Sequence, residues 1–219
     1  MAPTDNAAIA RINQLGALLV FPADNRPEPR SLWSEFHPRA EMRWEWSGGG
    51  DSRVWRMWAM MKRLSSGHDV VYSKWYAGRA TFFSQELFTA LLAESIRDRR
   101  DPADGIDPHA RQILEILDSN SPLSTRQLKL EAGLAGRENE GLYGRSVKAL
   151  FTRFLIIAPG EVDEGSFPSL ALGSTRLLRE DLWAAAERMS ATRAQKTIDR
   201  FMPPSSRFRR FLERCRRDP

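Results

Sequence analysis

Residues 110–176 carry an ordered series of secondary-structure signals, which restricts the fold more than any other part of the chain. The series begins with ARQILEILDSN, where an apolar stripe recurs at three- and four-residue steps: Ile113, Leu114, Ile116 and Leu117. Two further helical segments follow, SPLSTRQLKLEAGLAG and ENEGLYGRSVKALFTRFL, and then LIIA and SLALGST flank a polar interval. Helix, turn, helix, longer helix and two-stranded wing is the order of a winged helix.

Local signals mark both ends of the second of these helices. Ser124 and Gln127 fit the S-x-x-Q capping box, so we predict that the helix begins at Ser124, with Pro122 just outside it. Gly133 and Gly136 mark its end. Since capping and apolar periodicity agree, the sequence predicts a winged-helix domain over residues 109–178.

The first half of the chain repeats this order of signals. Residues 6–20 are predicted to form one helix, and DSRVWRMWAMMKRLSS another. Two β-favouring runs, VVYSKWYAG and RATFFS, are then joined around Ala77 and Gly78 as a hairpin, and a helix begins at Ser84. Residues 1–105 are therefore interpreted as an N-terminal helical domain and as a candidate for a diverged second winged helix.

The predicted fold class follows from these segments. We expect a mainly helical α+β protein with small β-wings, built on a winged helix and compatible with two tandem winged-helix units. The polar linker at residues 100–108 separates the two halves. Residues 179–219 are predicted to form C-terminal helices that end in an arginine-rich tail.

Composition narrows the class of protein. A chain of 219 residues with 42% apolar residues can bury a substantial core. Its longest apolar run, residues 15–21, is too short to span a bilayer, so we expect a cytoplasmic protein that does not interact with membranes. Cys215 has no partner for an internal disulfide, and the three histidines have no ligand spacing, so neither a metal nor another cofactor is expected.

The positive charge is concentrated at the C-terminus. Residues 193–219 contain nine Arg or Lys against three acids, a net charge of +6, whereas the whole chain carries +5. In the last predicted helix, Phe208, Leu212 and Cys215 share one side. The opposite side presents Arg207, Arg210, Arg214 and Arg217. The sequence therefore predicts a helix that docks by its apolar side and presents arginines outward.

The third helix of the 109–178 domain is the main candidate for contact with DNA. Phasing at about 100° per residue places its core side at Tyr143, Val147, Leu150, Phe151 and Phe154. Arg145, Lys148 and Thr152 then face outward, near Gly141 and Gly144, where close approach of a backbone is sterically allowed. In a winged helix this face is the one offered to the major groove of duplex DNA. A solvated helix face of any protein also carries such residues, and this alternative stays open.

Arginines elsewhere extend the predicted DNA-binding set. The complete set is Arg145, Lys148, Thr152, Arg126, Arg56, Arg63, Arg207, Arg210 and Arg214. Arginine suits both phosphate and base-edge contacts. The wing tip, residues 160–165, instead contains Glu161, Asp163 and Glu164, which phosphates would repel. If the domain binds DNA, we expect it to use the helix and the tail and to hold the wing away.

The first half of the chain contains most of the tryptophans, and aromatic rings beside arginines can stack on unpaired bases. Trp58 phases into the core, and packing is the simpler role for most of the others. Trp55 lies on the flank of its helix next to Arg56, so it is the tryptophan that we predict to be available for a ligand.

Several segments resemble a known family. ILEILDSNSPLSTRQLKLEAGL and GRSVKALFTRFLIIAPGE are similar to the winged-helix repeats of the bacterial AlkZ/YcaQ crosslink-repair DNA glycosylases. SLWSEF, DSRVWRMWAMMKRL and YSKWYAGRATFFSQEL resemble the shorter AlkZ-related proteins. The resemblance covers roughly residues 9–190 and implies tandem winged helices that bind duplex DNA. It also implies excision of alkylated or crosslinked purines, yet the Gln-aliphatic-Gln motif associated with that catalysis is absent from this sequence.

Three hypotheses follow from the sequence. The first is a winged-helix protein that binds duplex DNA without catalysis. The second is a repair glycosylase that uses a nonstandard carboxylate such as Glu35, Glu41 or Glu45 beside a flipped base. The third is a protein-interaction module, because a winged helix also serves as a rigid docking unit and an acidic wing would suit a basic protein partner.

Overall fold

The first half of the protein builds one small sheet with helices around it. The structure is a computed structural model that describes residues 3–43, 51–97, 99–163 and 168–217. The elements in chain order are α1 (Asp5–Leu15), β1 (Ala17–Leu19), α2 (Leu32–Phe36), α3 (Ser52–Ser66), β2 (Val70–Tyr76), β3 (Arg79–Ser84) and α4 (Gln85–Ile96).

The second half builds another small sheet and then continues into a series of helices. Its first elements are α5 (Pro108–Ser119), β4 (Leu123–Ser124), α6 (Thr125–Glu131), α7 (Glu140–Thr152), β5 (Ile156–Ile157), β6 (Glu161–Asp163) and β7 (Pro168–Ser174). The chain ends with α8 (Thr175–Leu178), α9 (Glu180–Arg188), α10 (Ala191–Phe201) and α11 (Arg207–Arg217).

The two halves share one strand order. In the first sheet the last strand, β3, lies between β1 and β2. In the second sheet the last strand, β7, lies between β4 and β5, and β6 also pairs with β7. All of these pairings are antiparallel. The α+β class predicted from the sequence is confirmed, and the element order of both halves is consistent with tandem winged-helix units.

The prediction of one helix over residues 6–20 was wrong. Helix α1 ends at Leu15, and Gly16, with φ of 79°, donates its N–H to Ile12 O at 2.7 Å, which closes the last turn. Residues 17–19 form β1 and are fully buried. A short apolar run fits a buried strand as well as a helix, so periodicity alone did not separate the two.

Other local predictions are confirmed. The capping box at α6 is present, with the N–H of Gln127 donating to Ser124 Oγ at 3.1 Å and the N–H of Ser124 donating to Gln127 Oε1 at 3.0 Å. The β2–β3 turn falls at Ala77 and Gly78, whose φ values of 50° and 75° fit a two-residue type I′ turn.

Backbone and aromatic contacts join the two halves. The N–H of Ala158, just after β5, donates to the carbonyl oxygen of Tyr72 on β2 at 3.0 Å. The rings of Trp75 and Phe154 stack with centroids 5.8 Å apart, and both side chains are fully buried. The apolar core is therefore continuous from the first sheet to the second, and it fixes α7 relative to β2.

We predict that Gly16→Ala will strongly destabilise the protein. A Cβ atom at this position would lie 2.5 Å from ring atoms of Phe201 on α10, and the positive φ adds strain. The left-handed conformation costs an L residue about 1–2 kcal/mol and overpacking about 1–3 kcal/mol, so the free energy of unfolding should fall by about 2–5 kcal/mol in urea titrations.

Gly78→Ala is the matched control for this prediction. Gly78 has a similar φ of 75°, but no heavy atom lies within 4 Å of its Cβ position. This substitution should cost only the conformational part, about 1–2 kcal/mol. Equal losses in the two variants would contradict the packing of α10 against the end of α1.

Candidate nucleic-acid interface

Helix α7 has one buried and one exposed face, as phased from the sequence. Its buried residues include Tyr143, Leu150 and Phe151. Arg145 and Lys148 are exposed on the other side, and neither forms an ion pair with a described residue. Thr152 is half-buried, and its hydroxyl donates to the carbonyl oxygen of Ala149 at 2.9 Å. Of the three residues predicted on this face, the two cations are free for a ligand, and Thr152 is engaged with its own helix.

Two glycines lie on the exposed face of α7. At Gly144 no heavy atom lies within 4 Å of the position that a Cβ atom would occupy, and at Gly141 only the guanidinium of Arg145 lies nearby, at 3.5 Å. Neither glycine has a φ in the positive region that favours this residue type. The fold therefore does not require glycine at either position, although glycine costs a helix about 1 kcal/mol relative to alanine. The result is an exposed helix face on which backbone is accessible.

Helix α11 docks by its apolar side, as predicted. Phe208 and Leu212 are buried, and the ring of Phe211 lies 4.9 Å from that of Trp75 and 4.8 Å from that of Tyr76. Because these two aromatic residues belong to the end of β2, α11 is anchored close to the contact between the two halves.

Ion pairing divides the arginines of α11 into two groups. Arg209 pairs with Asp199 at 2.7 Å and with Glu213 at 2.8 Å, and Arg216 pairs with Glu94 of α4. The three arginines predicted to contact DNA form no ion pair with described residues: Arg207, Arg210 and Arg214. At 100° per residue these three lie on the flank of α11 opposite that of Arg209 and Arg216.

Cys215 shows that α7 lies beside α11. Burial raises the pKa of the Cys215 thiol, and the nearby ammonium of Lys148 and guanidinium of Arg214 act in the opposite direction. The exposed cations of α7 and the unpaired arginines of α11 therefore belong to neighbouring helices. We refer to Arg145, Lys148, Arg207, Arg210 and Arg214 together as the α7–α11 basic surface.

The remaining arginines of the predicted set are placed elsewhere. Arg126 is exposed on α6, without an ion pair to a described residue. Arg56 is exposed on α3 and donates to Ser52 Oγ at 3.1 Å. Arg63 is bound to Asp5 of α1 through two hydrogen bonds of 2.8 Å, which also hold the pKa of Asp5 below its usual range. Arg63 thus connects α1 to α3, and its guanidinium is less available for phosphate than that of Arg56.

The acidic wing faces the first half of the protein at the one position that can be described in detail. The carboxylate of Glu161 lies 3.2 Å from the ammonium of Lys62 on α3, and its side chain is 17% exposed. Glu164 lies outside the described residues. Lys62 was not among the predicted site residues, because its acidic neighbour is about a hundred positions away and no local pattern connects them.

The tryptophans divide as expected from phasing. Trp33 and Trp75 are buried, and Trp58 packs partly against the core. Trp55 is 64% exposed, with its ring 5.0 Å from that of Trp58. Trp44 and Trp46 lie outside the described residues. Trp55 remains the tryptophan best placed to meet a ligand among those described.

The carboxylates proposed for catalysis are not gathered in one site. Glu35 is 7% exposed and lies between Arg11, at 2.5 Å, and Arg30, at 2.7 Å. Glu41 is 73% exposed and lies 3.6 Å from Arg43, and Glu45 lies outside the described residues. Since both oxygens of Glu35 bind arginines, its carboxylate is engaged in holding α1, α2 and the preceding loop together.

Two further features bear on the class of site. Among the described residues, no group of three or more His, Cys, Asp or Glu side chains could hold a metal ion. The described helices include none with the length and apolar content needed to cross a membrane.

We predict that Cys215, the single cysteine, will report on the contact between α7 and α11. The pH midpoint of its alkylation by iodoacetamide should lie above that of an ordinary thiol, because burial raises its pKa. Lys148→Glu should move the midpoint further up, because it removes a cation that favours the thiolate and adds an anion. Arg188→Glu, on α9, should leave it in place; an unchanged midpoint in Lys148→Glu would contradict the placement of α11.

Comparison with known proteins gives one positive finding. A protein-family model described as AlkZ related matches residues 3–202. The chain matches no curated protein and no solved structure. Since the family model spans most of the 219 residues, the chain belongs to the AlkZ-related family.

Proposed function

We propose that this protein binds duplex DNA, without catalysis, through the α7–α11 basic surface. The observation that carries the proposal is the presence of five cations on two adjacent helices that have no ion pair with described residues. Other cations of the same helices and of α3 are neutralised by carboxylates. A cluster of unpaired arginines and lysine attracts phosphate strongly and loses little when it binds.

The geometry of α7 supports a groove-binding role. As the third helix of the 109–178 unit, it occupies the position that winged helices insert into the major groove. Gly141 and Gly144 reduce its diameter on the exposed side, so a phosphate or a base edge can approach the helix backbone closely. Arg145 suits bidentate contact with a guanine, and Lys148 suits contact with a phosphate.

The position of the wing is compatible with this proposal. Glu161 would repel phosphate if it projected toward DNA, but its carboxylate is directed at Lys62 of the first half. The opposing charge of Lys62 reduces the negative field near the wing. The repulsion that the sequence suggested is therefore reduced at this residue, and α7 and α11 remain the elements that contact DNA in the proposal.

Family membership gives a second, independent support. The AlkZ-related family indicates a relation to the AlkZ/YcaQ superfamily, which the sequence resembles in its winged-helix segments. We include in the proposal two tandem winged-helix units, residues 1–105 and 109–178, followed by C-terminal helices over 179–219, in a cytoplasmic protein that needs no metal or other cofactor.

The non-catalytic part of the proposal rests on side chains. The sequence has no Gln-x-Gln motif, and the two oxygens of Glu35 are occupied by Arg11 and Arg30. A glycosylase needs a group that positions water or stabilises a developing sugar cation, and neither feature supplies one. Abasic sites formed in duplexes that carry alkylated purines, detected as strand breaks after mild base treatment, would overturn this part.

We predict that Arg145→Glu/Lys148→Glu will weaken duplex binding about tenfold or more at low salt, as measured by fluorescence anisotropy. The slope of log K against log salt should decrease by about two, one for each lost phosphate contact. Arg207→Glu/Arg210→Glu/Arg214→Glu should act in the same direction. Substitution is sharper than deletion of the tail, because Phe208 and Leu212 are part of the core.

Arg188→Glu/Arg193→Glu is the matched control for the double substitution. Both residues are exposed, on α9 and α10, and the net charge changes by the same amount. An equal loss of affinity in this control would show that binding follows overall charge, which contradicts the α7–α11 surface. A complete lack of duplex binding by the unmodified protein at low salt would reject the proposed function and leave protein docking as the alternative.

We predict opposite effects of Gly144→Ala on stability and on binding. Alanine should raise the free energy of unfolding by about 1 kcal/mol, because the site is helical and its surroundings are open. The added methyl group should weaken duplex binding, because it holds the DNA backbone away from α7. Chemical denaturation and anisotropy on the same preparation measure both; a more stable variant with unchanged affinity would exclude close approach at this face.

A further inference from the structure

A cleft of about 450 Å³ lies where the first sheet, α3 and the wing of the second half meet. Phe21, Trp58 and Tyr72 contribute aromatic surface from the first half, and Leu170 contributes apolar surface from β7. Lys74 and Glu161 bring charged groups into the same space. The volume falls within the range of roughly 300–1,000 Å³ that is typical of small-molecule sites.

Glu161 supplies an acceptor that lacks a hydrogen bond. Its Oε2 atom is buried and accepts no hydrogen bond from the described residues. The ammonium of Lys62 lies 3.2 Å from this oxygen, but the contact does not have hydrogen-bond geometry. Lys62 therefore balances the charge of the carboxylate without satisfying its capacity to accept hydrogen bonds. A buried carboxylate of this kind is stabilised by a ligand that carries N–H donors.

Lys74 supplies a donor on the same side of the cleft. It forms no hydrogen bond or ion pair with described residues. Burial lowers the pKa of its ammonium, and the carboxylate of Glu161 acts in the opposite direction, which places the two charged groups near each other. The hydroxyl of Tyr72 has only the sulfur of Met61 as an acceptor, at 3.5 Å. The polar groups of the cleft thus include an acceptor and a donor whose hydrogen-bonding capacity is unused.

The aromatic walls and the two polar groups together define a ligand. It must be flat, carry adjacent N–H donors for a carboxylate, and carry an acceptor for an ammonium. Among the nucleobases, guanine alone presents two neighbouring donors, N1–H and N2–H, next to the O6 acceptor. Adenine, cytosine and thymine each place an acceptor where the carboxylate would need a donor.

We propose that this cleft binds the Watson–Crick edge of an unpaired guanine base, with Glu161 accepting from N1–H and N2–H and Lys74 donating to O6. The base would lie against the aromatic wall formed by Phe21, Trp58 and Tyr72. A guanine in a free nucleotide and an unpaired guanine in DNA offer the same edge. The DNA source rests on the proposed function, whereas the free nucleotide does not.

The first experiment uses free nucleotides and the full chain. In isothermal titration calorimetry, guanosine 5′-monophosphate should bind about 10- to 100-fold more tightly than the adenosine, cytidine and uridine monophosphates. Glu161→Gln should abolish the preference, because a carboxamide offers one acceptor in place of two. Lys74→Met should reduce it. Glu115→Gln, an exposed carboxylate on α5, is the control and should bind like the unmodified protein.

The second experiment uses duplexes of one sequence with a single bulged G, with a bulged A, or with full pairing. The protein should bind the bulged-G duplex about tenfold more tightly than the other two, and Glu161→Gln should remove the difference while retaining affinity for the paired duplex. Melting temperatures of all variants are measured in parallel. If Glu161→Gln proves unstable because it loses Lys62, Lys74→Met carries the test in its place.

The outcomes separate this site from the α7–α11 surface. Guanine preference that both substitutions weaken supports the site, and preference in the nucleotide experiment alone assigns it to a free nucleotide. No preference for guanine in either experiment, or a preference that neither substitution changes, overturns it. Loss of all duplex binding with the nucleotide preference intact rejects the proposed function and leaves the guanine site standing.

Discussion

The stacked pair of Trp75 and Phe154 is the contact on which the arrangement of the two halves depends. Both rings are fully buried and centred 5.8 Å apart, and Phe211 of α11 packs edge-on against Trp75 at 4.9 Å. Aromatic pairs of this kind contribute about 0.5–1.5 kcal/mol beyond the burial of their area. The same residues therefore hold β2, the end of α7 and the C-terminal helix together, and they place α11 beside α7.

Ion pairing then determines which cations can meet a ligand. Arg63, Arg209 and Arg216 are held by carboxylates of the protein itself, and Lys62 lies against Glu161. The net charge of the C-terminal segment overstates its free charge, since Asp199, Glu213 and Glu94 neutralise the flank of α11 that faces α10 and α4. The opposite flank keeps its arginines unpaired, so the direction of the positive field follows from packing as well as from composition.

The sequence predicted those features whose causes are local. Capping at Ser124, the turn at Ala77 and Gly78, and the buried side of α7 each depend on residues within a few positions of one another. Helix α1 was placed too far along the chain, because Gly16 ends it through a backbone conformation that periodicity does not encode. The contacts of Glu161 with Lys62 and Lys74 connect residues that are far apart in the chain, so only the folded structure brings the cleft together.

The basic surface and the cleft differ in their physics, and this difference bears on how the two proposed sites would work together. Contacts between exposed arginines and phosphates weaken steeply as salt rises, because bound counterions are released. Hydrogen bonds to Glu161 and Lys74 form in a partly desolvated space, where screening is weak. Binding at α7 and α11 would bring DNA to the protein without regard to its sequence, and the cleft would then distinguish an unpaired guanine from paired bases. Neutralising the surface should therefore lower affinity for every duplex, whereas altering the cleft should change selectivity alone.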